Sequence, residues 1–209
     1  MTEPTGRLAA VSGKTVSIDP AQHYDAWADE YEADLLGNYR YCAHTIAVDA
    51  LADAVPDRGA AIIDIGCGTG LVGAALQGHG FTRIDGVDIS SGMLAKARAR
   101  GIYRTLFQQN AEEAPAAPVG HYDAVISVGS FGIGHLGPEA MPRLVDYARP
   151  GAPVVIFMNA EPFIDEDYAG HIARMEREAV WAAIRIEDHN YMAALDRPGK
   201  LILARRTEA

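Results

Sequence analysis

Cysteine is scarce in this sequence: only Cys42 and Cys67 occur among its 209 residues. Two thiols build neither a disulfide framework nor a four-ligand zinc site, so the fold must rest on a hydrophobic core. Positive charge is also in short supply, with 18 basic residues against 28 acidic ones and a formal net charge of −10. A basic face is the usual footprint of a protein that grips phosphates, and no nucleic-acid partner is expected. Long apolar runs are missing too. None approaches the ~18 residues of a membrane span, and the opening MTEPTGRLAA has no leader-like apolar stretch. These absences predict a cytoplasmic protein with no membrane partner. Lysine is rare, at three against fifteen arginines, and together with abundant alanine this points to a GC-rich bacterial source. No internal repeat or low-complexity tract is present.

What remains is ordinary globular composition, 49% hydrophobic and 22% charged. The length suits one domain, large enough to bury roughly 70–75% of its unfolded surface. Residues 1–20 are polar and broken by Pro4, Gly6, Gly13 and Pro20, and read as a mobile arm. A single domain over 21–209 follows. Residues 21–55 carry Trp27, Tyr31, Leu35, Ile46, Ala50 and Val55 at helical spacings, giving a helical cap divided near Gly37-Asn38. Across 60–158 the pattern changes to short apolar runs alternating with helical segments. Strands are expected at 61–65, 83–88, 106–109, 122–128 and 154–158. Helices are expected at 71–77, from Ser90/Ser91 to Arg100, and at 141–148. The remainder, 159–209, reads as one amphipathic helix over 165–180 and a hairpin around 182–186 and 200–204. Alternation of this kind predicts an α/β fold, a doubly wound, Rossmann-like seven-stranded sheet, mostly parallel with an antiparallel C-terminal hairpin strand.

In such sheets ligands gather beyond the carboxyl ends of the strands. The run Asp64-Ile65-Gly66-Cys67-Gly68-Thr69-Gly70 lies there. A dinucleotide loop needs G-x-G-x-x-G, but the third glycine would fall at Leu71. No Gly-Lys-Ser/Thr follows, so this is no phosphate-cradling P-loop. Asp88 ends the next strand, 18 residues after Gly70, close to the ~20 expected of an acid that takes a ribose diol. A free diol without a phosphate grip describes an adenosine-type cofactor that lacks a pyrophosphate.

These residues resemble the class I S-adenosylmethionine-dependent methyltransferases. Asp64-Ile-Gly-Cys-Gly-Thr-Gly70 is similar to their first motif, and Gly86-Val-Asp88-Ile-Ser-Ser-Gly-Met93 to their second. Asn110-Ala-Glu112, Tyr122-Asp-Ala-Val-Ile-Ser127 and Arg149-Pro-Gly151 resemble later motifs, and His23-Tyr24-Asp25-x-Trp27-Ala28-x-x-Tyr31 resembles a helix that covers the cofactor. Within the family the chain looks most like the Williams–Beuren-region methyltransferase-like proteins. The resemblance implies S-adenosylmethionine as cofactor, with S-adenosylhomocysteine as product. It places Gly66, Gly68 and Gly70, with Cys67 between them, at the methionine part, and Asp64 at its amine. Asp88 is implied at the ribose, Ile89 and Met93 on the adenine, and Asn110, Ala111 and Glu112 at the adenine edge. Val128 is implied at the end of the fourth strand, and Tyr24, Tyr31 and Arg40 close the site. Asn110 departs from the family's usual Asp.

Methyl transfer is an in-line displacement that needs alignment above all, helped by a base where the acceptor carries a proton. Histidine suits that task. Of seven histidines, His135 follows the fourth strand in a glycine-rich loop and is the first candidate. His23 and Tyr24, in the covering helix, come next. His44, His79 and His121 read as surface or loop residues, while His171 and His189 stay open. Several acceptors are disfavoured. The sequence has no Asn/Asp-Pro-Pro-Tyr/Phe run for amino-adenine in DNA and no Pro-Cys nucleophile for pyrimidine carbon-5. Ser127, Gly129 and Ser130 stand where a metal-dependent catechol enzyme needs Asp, so no metal is expected. The short segment from Asn159 to Val180 predicts a compact cap and a small-molecule acceptor. A cyclase-type, non-methylating reaction and a protein acceptor are the alternatives. The chain is expected to be a monomer or homodimer.

Overall fold

The computed structural model describes residues 20–208 apart from 112, 114, 133, 134 and 196. The N-terminal arm, save Pro20, and Glu112 therefore lie outside the described residues. Helix α1 spans Pro20–Trp27, a π-helical turn Ala33–Asn38, and helix α2 Ala43–Ala54. Then come β1 (Ala61–Ile65), α3 (Leu71–Gly78), β2 (Arg83–Asp88), α4 (Ser91–Ala99), β3 (Thr105–Gln108) and β4 (Ala124–Val128). The chain ends with α5 (Met141–Tyr147), β5 (Pro153–Asn159), α6 (Ala160–Asp165), α7 (Tyr168–Arg177), β6 (Trp181–Met192) and β7 (Arg197–Arg206).

The strands form one sheet in the order β3-β2-β1-β4-β5-β7-β6. β3 through β5 run parallel, whereas β7 is antiparallel to β5 and to β6. β1 is buried along its whole length, as a strand covered on both faces must be. Side chains alternate between two cores. Ile62, Ala124, Ile126, Val155 and Phe157 pack with the cap and α2. Ile63, Val125, Val154, Ile156 and Met158 pack with α5 and α7. The chain winds outward in opposite directions from β1 and β4, which leaves a crevice beyond their carboxyl ends.

Four boundaries differ from the sequence expectation. Gly37-Asn38 does lie between α1 and α2, but as the end of a π-helical turn that begins at Ala33. β4 begins at Ala124 because Asp123 turns its carboxylate onto the Ala61 N–H at 2.7 Å. Tyr122 makes only an isolated bridge to Ala148. The helix expected over 165–180 is α7 and starts only at Tyr168, after Asp167, whose φ is +51° and whose side chain accepts from the Gly170 N–H; α6 before it was not expected. The hairpin strands are about twice as long as expected. β6 mixes polar and apolar residues along a sheet edge and carries register shifts at Ala183/Arg185 and Asn190/Met192, which blur its period of two.

Candidate active site

The loop after β1 turns sharply, and Gly66, Gly68 and Gly70 all have positive φ. A Cβ on Gly66 would stand 1.9 Å from the Ser130 hydroxyl, whereas one on Gly68 would meet nothing within 4 Å. The first glycine lets two loops touch, and the second presents bare backbone to open space. Asp88, at the end of β2, locks this geometry. Its carboxylate accepts the Gly68 N–H at 2.8 Å and the Ser90 N–H at 2.9 Å. Burial raises its pKa, while those N–H groups pull the other way.

A cavity of about 310 Å³ opens beside the loop, lined by Gly66, Gly68, Val87, Asp88, Ile89 and Met93 on one side and by Gln109, Asn110, Ala111, Val128, Gly129 and Ser130 on the other. His135 and Leu136 border it, and Tyr24 and Tyr31 reach in from the cap. The structure thus brings together eleven of the residues singled out in the sequence. Burial holds the pKa of Tyr24 and Tyr31 well above the ordinary phenol value, so both stay neutral. The Tyr24 hydroxyl lies 2.6 Å from His135 Nε2. A neutral phenol keeps its proton, and in the imidazole tautomer that leaves Nε2 bare Tyr24 donates to it.

Five candidates do not line the cavity. His23 packs its ring edgewise on Tyr24 and Trp27. Arg40 is exposed, with φ +51°. Cys67 is buried; a Cβ on Gly86 would lie 3.0 Å from its sulfur, and burial pushes the thiol pKa up. Gly70 faces the Arg100 side chain and the Tyr103 ring. Asp64 is fully buried beneath the loop. Its Oδ2 accepts from the Tyr103 hydroxyl at 2.7 Å, while Oδ1 has no partner. Burial raises the carboxyl pKa to about 7.

Tyr103 was missed in the sequence. Its hydroxyl also accepts the Gly73 N–H at 3.1 Å, and its ring fills a slot in which a Cβ on Gly73 would come within 2.5 Å of it and one on Gly86 within 3.0 Å. A glycine inside α3 and another inside β2 were the available signals of a close approach.

The cap is fastened to α4 along one ridge. Asp25 accepts from the Gly92 N–H at 2.8 Å and the Ser90 hydroxyl at 2.5 Å, a carboxylate at a helix N-terminus where the dipole favours it. Asp29 pairs with Lys96, and Glu32 with Arg100. The Ser90 hydroxyl in turn accepts the Met93 N–H at 3.0 Å and so caps α4.

A second, smaller cavity of about 60 Å³ adjoins the first and shares Tyr24, Tyr31, Gly129 and His135 with it. Trp27, Tyr41, Phe157 and Tyr191 give it aromatic walls, and Asn159 and Arg197 border it. The Tyr191 hydroxyl donates to Asn159 Oδ1.

Three features fit a small adenosine-type cofactor: bare glycine backbone facing an open cavity, a strand-end carboxylate, and an unpartnered buried oxygen on Asp64. Comparison with known proteins agrees. A methyltransferase-domain family model matches residues 62–151. The human methyltransferase-like protein 27 is 33% identical over 190 residues, covering 88% of this chain and 77% of its own. The chain belongs to the class I S-adenosylmethionine-dependent methyltransferases. Two solved structures share the methyltransferase fold at low identity. One is a methyltransferase bound to the Haloferax volcanii Trm112 activator, 16% identical, with a TM-score of 0.71 over 91% of this chain and 99% of that one. The other is the Synechocystis magnesium protoporphyrin IX methyltransferase with bound S-adenosylmethionine, 16% identical, with a TM-score of 0.62 over 96% of this chain and 90% of that one. The cofactor of this methyltransferase is S-adenosylmethionine. Among its described residues, no helix is long and apolar enough to cross a membrane.

Proposed function

We propose that this methyltransferase transfers its methyl group to a small-molecule acceptor. The observation that carries the reading is the meeting of two cavities, one cofactor-sized and one much smaller, at the Tyr24–His135 pair. A cap of this size, latched to α4, suits a compact acceptor better than a polymer. The backbone at Gly66 and Gly68 would hold the methionine part, with the Asp64 carboxyl beneath it. Asp88 would take the ribose diol through the lone pairs that the Gly68 and Ser90 N–H groups leave over. Ile89 and Met93 would pack on the adenine, with Asn110 and Ala111 at its edge.

When bound, the cofactor supplies an electrophilic methyl on a sulfonium. The chain's own residues supply alignment and proton management. An acceptor hydroxyl or amine that bonds to the Tyr24 oxygen has an exit for its proton in the tautomer that leaves His135 Nε2 bare, because the Tyr24 hydroxyl lies 2.6 Å from that nitrogen. Tyr24 passes on one proton as it receives another, and the charge ends on an imidazole whose ordinary pKa lies near 6.5.

The test combines calorimetric titration with S-adenosylhomocysteine and incubation with methyl-labelled S-adenosylmethionine in a metabolite extract. The expected result is tight binding, one metabolite carrying one labelled methyl, and an equal yield of S-adenosylhomocysteine. Label confined to protein would refute the small-molecule acceptor. A transformed product without S-adenosylhomocysteine would make the reaction cyclase-like.

A further inference from the structure

We infer that Arg100 is a positioning residue for the cofactor: its guanidinium joins the back of the glycine loop to the cap, so that loop geometry and cap closure depend on each other. This rests on the cofactor placement above and adds the residue that couples two walls of its cavity.

Arg100 is the C-terminal cap of α4 and bonds to two elements at once. Its Nε donates to the Thr69 carbonyl at 2.7 Å, and a terminal nitrogen donates to the Glu32 carboxylate. Its aliphatic stem lies against Gly70, where a Cβ would come 3.0 Å from Arg100 Cδ. The loop is therefore held at two points, at Gly68 by the Asp88 carboxylate and at Thr69 by Arg100. Glu32 directly follows Tyr31, which lines the cofactor cavity together with Tyr24. Burial disfavours the charged form of Glu32, but its hydrogen bonds and the Arg100 charge outweigh that and hold its carboxyl below the ordinary value, so the pair is ionic at neutral pH. A planar fork of donors can serve a carbonyl and a carboxylate together, whereas a lysine ammonium offers a point charge without the fork.

The other latches on this ridge are built differently. Asp29 and Lys96 are both exposed, and such pairs contribute little. Among the described residues Lys96 reaches no part of the glycine loop. Asp25 meets the opposite end of α4, at Ser90 and Gly92. Arg100 is the side chain of this ridge that bonds both the cap and the loop. A cofactor seated on the loop fixes the Thr69 carbonyl, and through Arg100 it retains Glu32 and the cap. By linkage, a retained cap strengthens cofactor binding to the same degree.

The test measures S-adenosylhomocysteine affinity by calorimetry and, at saturating S-adenosylhomocysteine, amide hydrogen exchange across residues 20–38. In the native protein the ligand should slow exchange in that segment. Arg100→Gln should bind about tenfold more weakly and lose the ligand-induced slowing even when saturated. Arg100→Lys should lose nearly as much affinity. Glu32→Gln should weaken binding about fivefold in the native background but by less than about twofold where Arg100 is already Gln. Lys96→Gln, the control, should stay within about twofold of the native protein. Native affinity in Arg100→Gln or Arg100→Lys, an equal loss in Lys96→Gln, additive losses from Glu32 and Arg100, or cap slowing that survives Arg100→Gln would each overturn the proposal. If Arg100→Gln does not fold, Arg100→Lys and Glu32→Gln decide by the same measurements. Failure of the native protein to bind S-adenosylhomocysteine would overturn the cofactor placement instead.

Discussion

Replacing Asp64 by asparagine should stabilise the protein at alkaline pH and weaken its hold on the cofactor. Asp64 is fully buried, and burial raises its carboxyl to about 7 from the ordinary value of 3.8, although the Tyr103 hydroxyl bond opposes the rise. The sign follows from proton binding. Between pH 3.8 and 7 the folded protein holds a proton at this site that the unfolded chain has lost, so stability falls as pH rises through that window. The penalty is absent below about 4 and complete above about 7. At about 1.36 kcal/mol per pH unit, its growth from pH 5 to pH 7 amounts to about 2–3 kcal/mol. Asparagine keeps an oxygen for Tyr103 and carries no charge. Whatever constant cost its unpaired N–H₂ adds, the stability of Asp64→Asn relative to the native protein should improve by about 2–3 kcal/mol between pH 5 and pH 8. At about 2–4 °C per kcal/mol for a chain of this size, that is a relative gain of about 5–10 °C in Tm. Thermal melts of both proteins without cofactor, at the two pH values, measure it. A difference that stays flat or shrinks would mean that Asp64 is charged in the folded state and carries no penalty, and the reasoning would be wrong. The companion measurement is S-adenosylhomocysteine affinity at pH 8, which should drop because the variant has no carboxylate for the methionine amine.

Asp88→Asn places an amide N–H₂ against a backbone donor, since Gly68 and Ser90 both donate to the native carboxylate; at about 1.5–3 kcal/mol per lost charged bond, calorimetry should show S-adenosylhomocysteine binding about 100-fold weaker. Tyr24→Phe keeps the ring and removes the bond to His135 Nε2, so kcat should fall about 100-fold while cofactor affinity changes little. Undiminished turnover of the true acceptor in that variant would dispose of the proton relay. Gly73→Ala sets a helix-propensity gain of about 1 kcal/mol against a methyl 2.5 Å from the Tyr103 ring. That ring is backed by Gly86 and cannot retreat, so overpacking of about 1–3 kcal/mol wins. The melting temperature should drop, and Tyr103→Ala in the same chain should recover part of the loss.

The order of elements, the parallel core of the sheet and its antiparallel edge were legible from local pattern. Short apolar runs such as Ala61–Ile65, bounded by glycine, fit strands covered on both faces, and glycines mark where such strands turn into helices. The glycine loop and Asp88 were legible for the same reason: the ligand-facing turn depends on backbone freedom, which the residue type reveals directly. Boundaries set by a single side chain were not. Asp167 in the left-handed region sets the start of α7 at Tyr168 and parts it from the unexpected α6, and nothing in the amphipathic period announces it.

The sequence by itself determined the fold, the family and the cofactor class, because each is written in residues close along the chain. Only the tertiary structure decided which candidates share a cavity. It turned Arg40 to solvent, directed Gly70 toward Arg100 and sank Asp64 below the loop. It also brought Tyr24 to His135 across 111 residues of chain and set Tyr191 and Arg197, from the last hairpin, beside a small cavity that Tyr24 also lines. Contacts over that separation depend on how the cap and the hairpin pack on the sheet, and no local pattern encodes that packing.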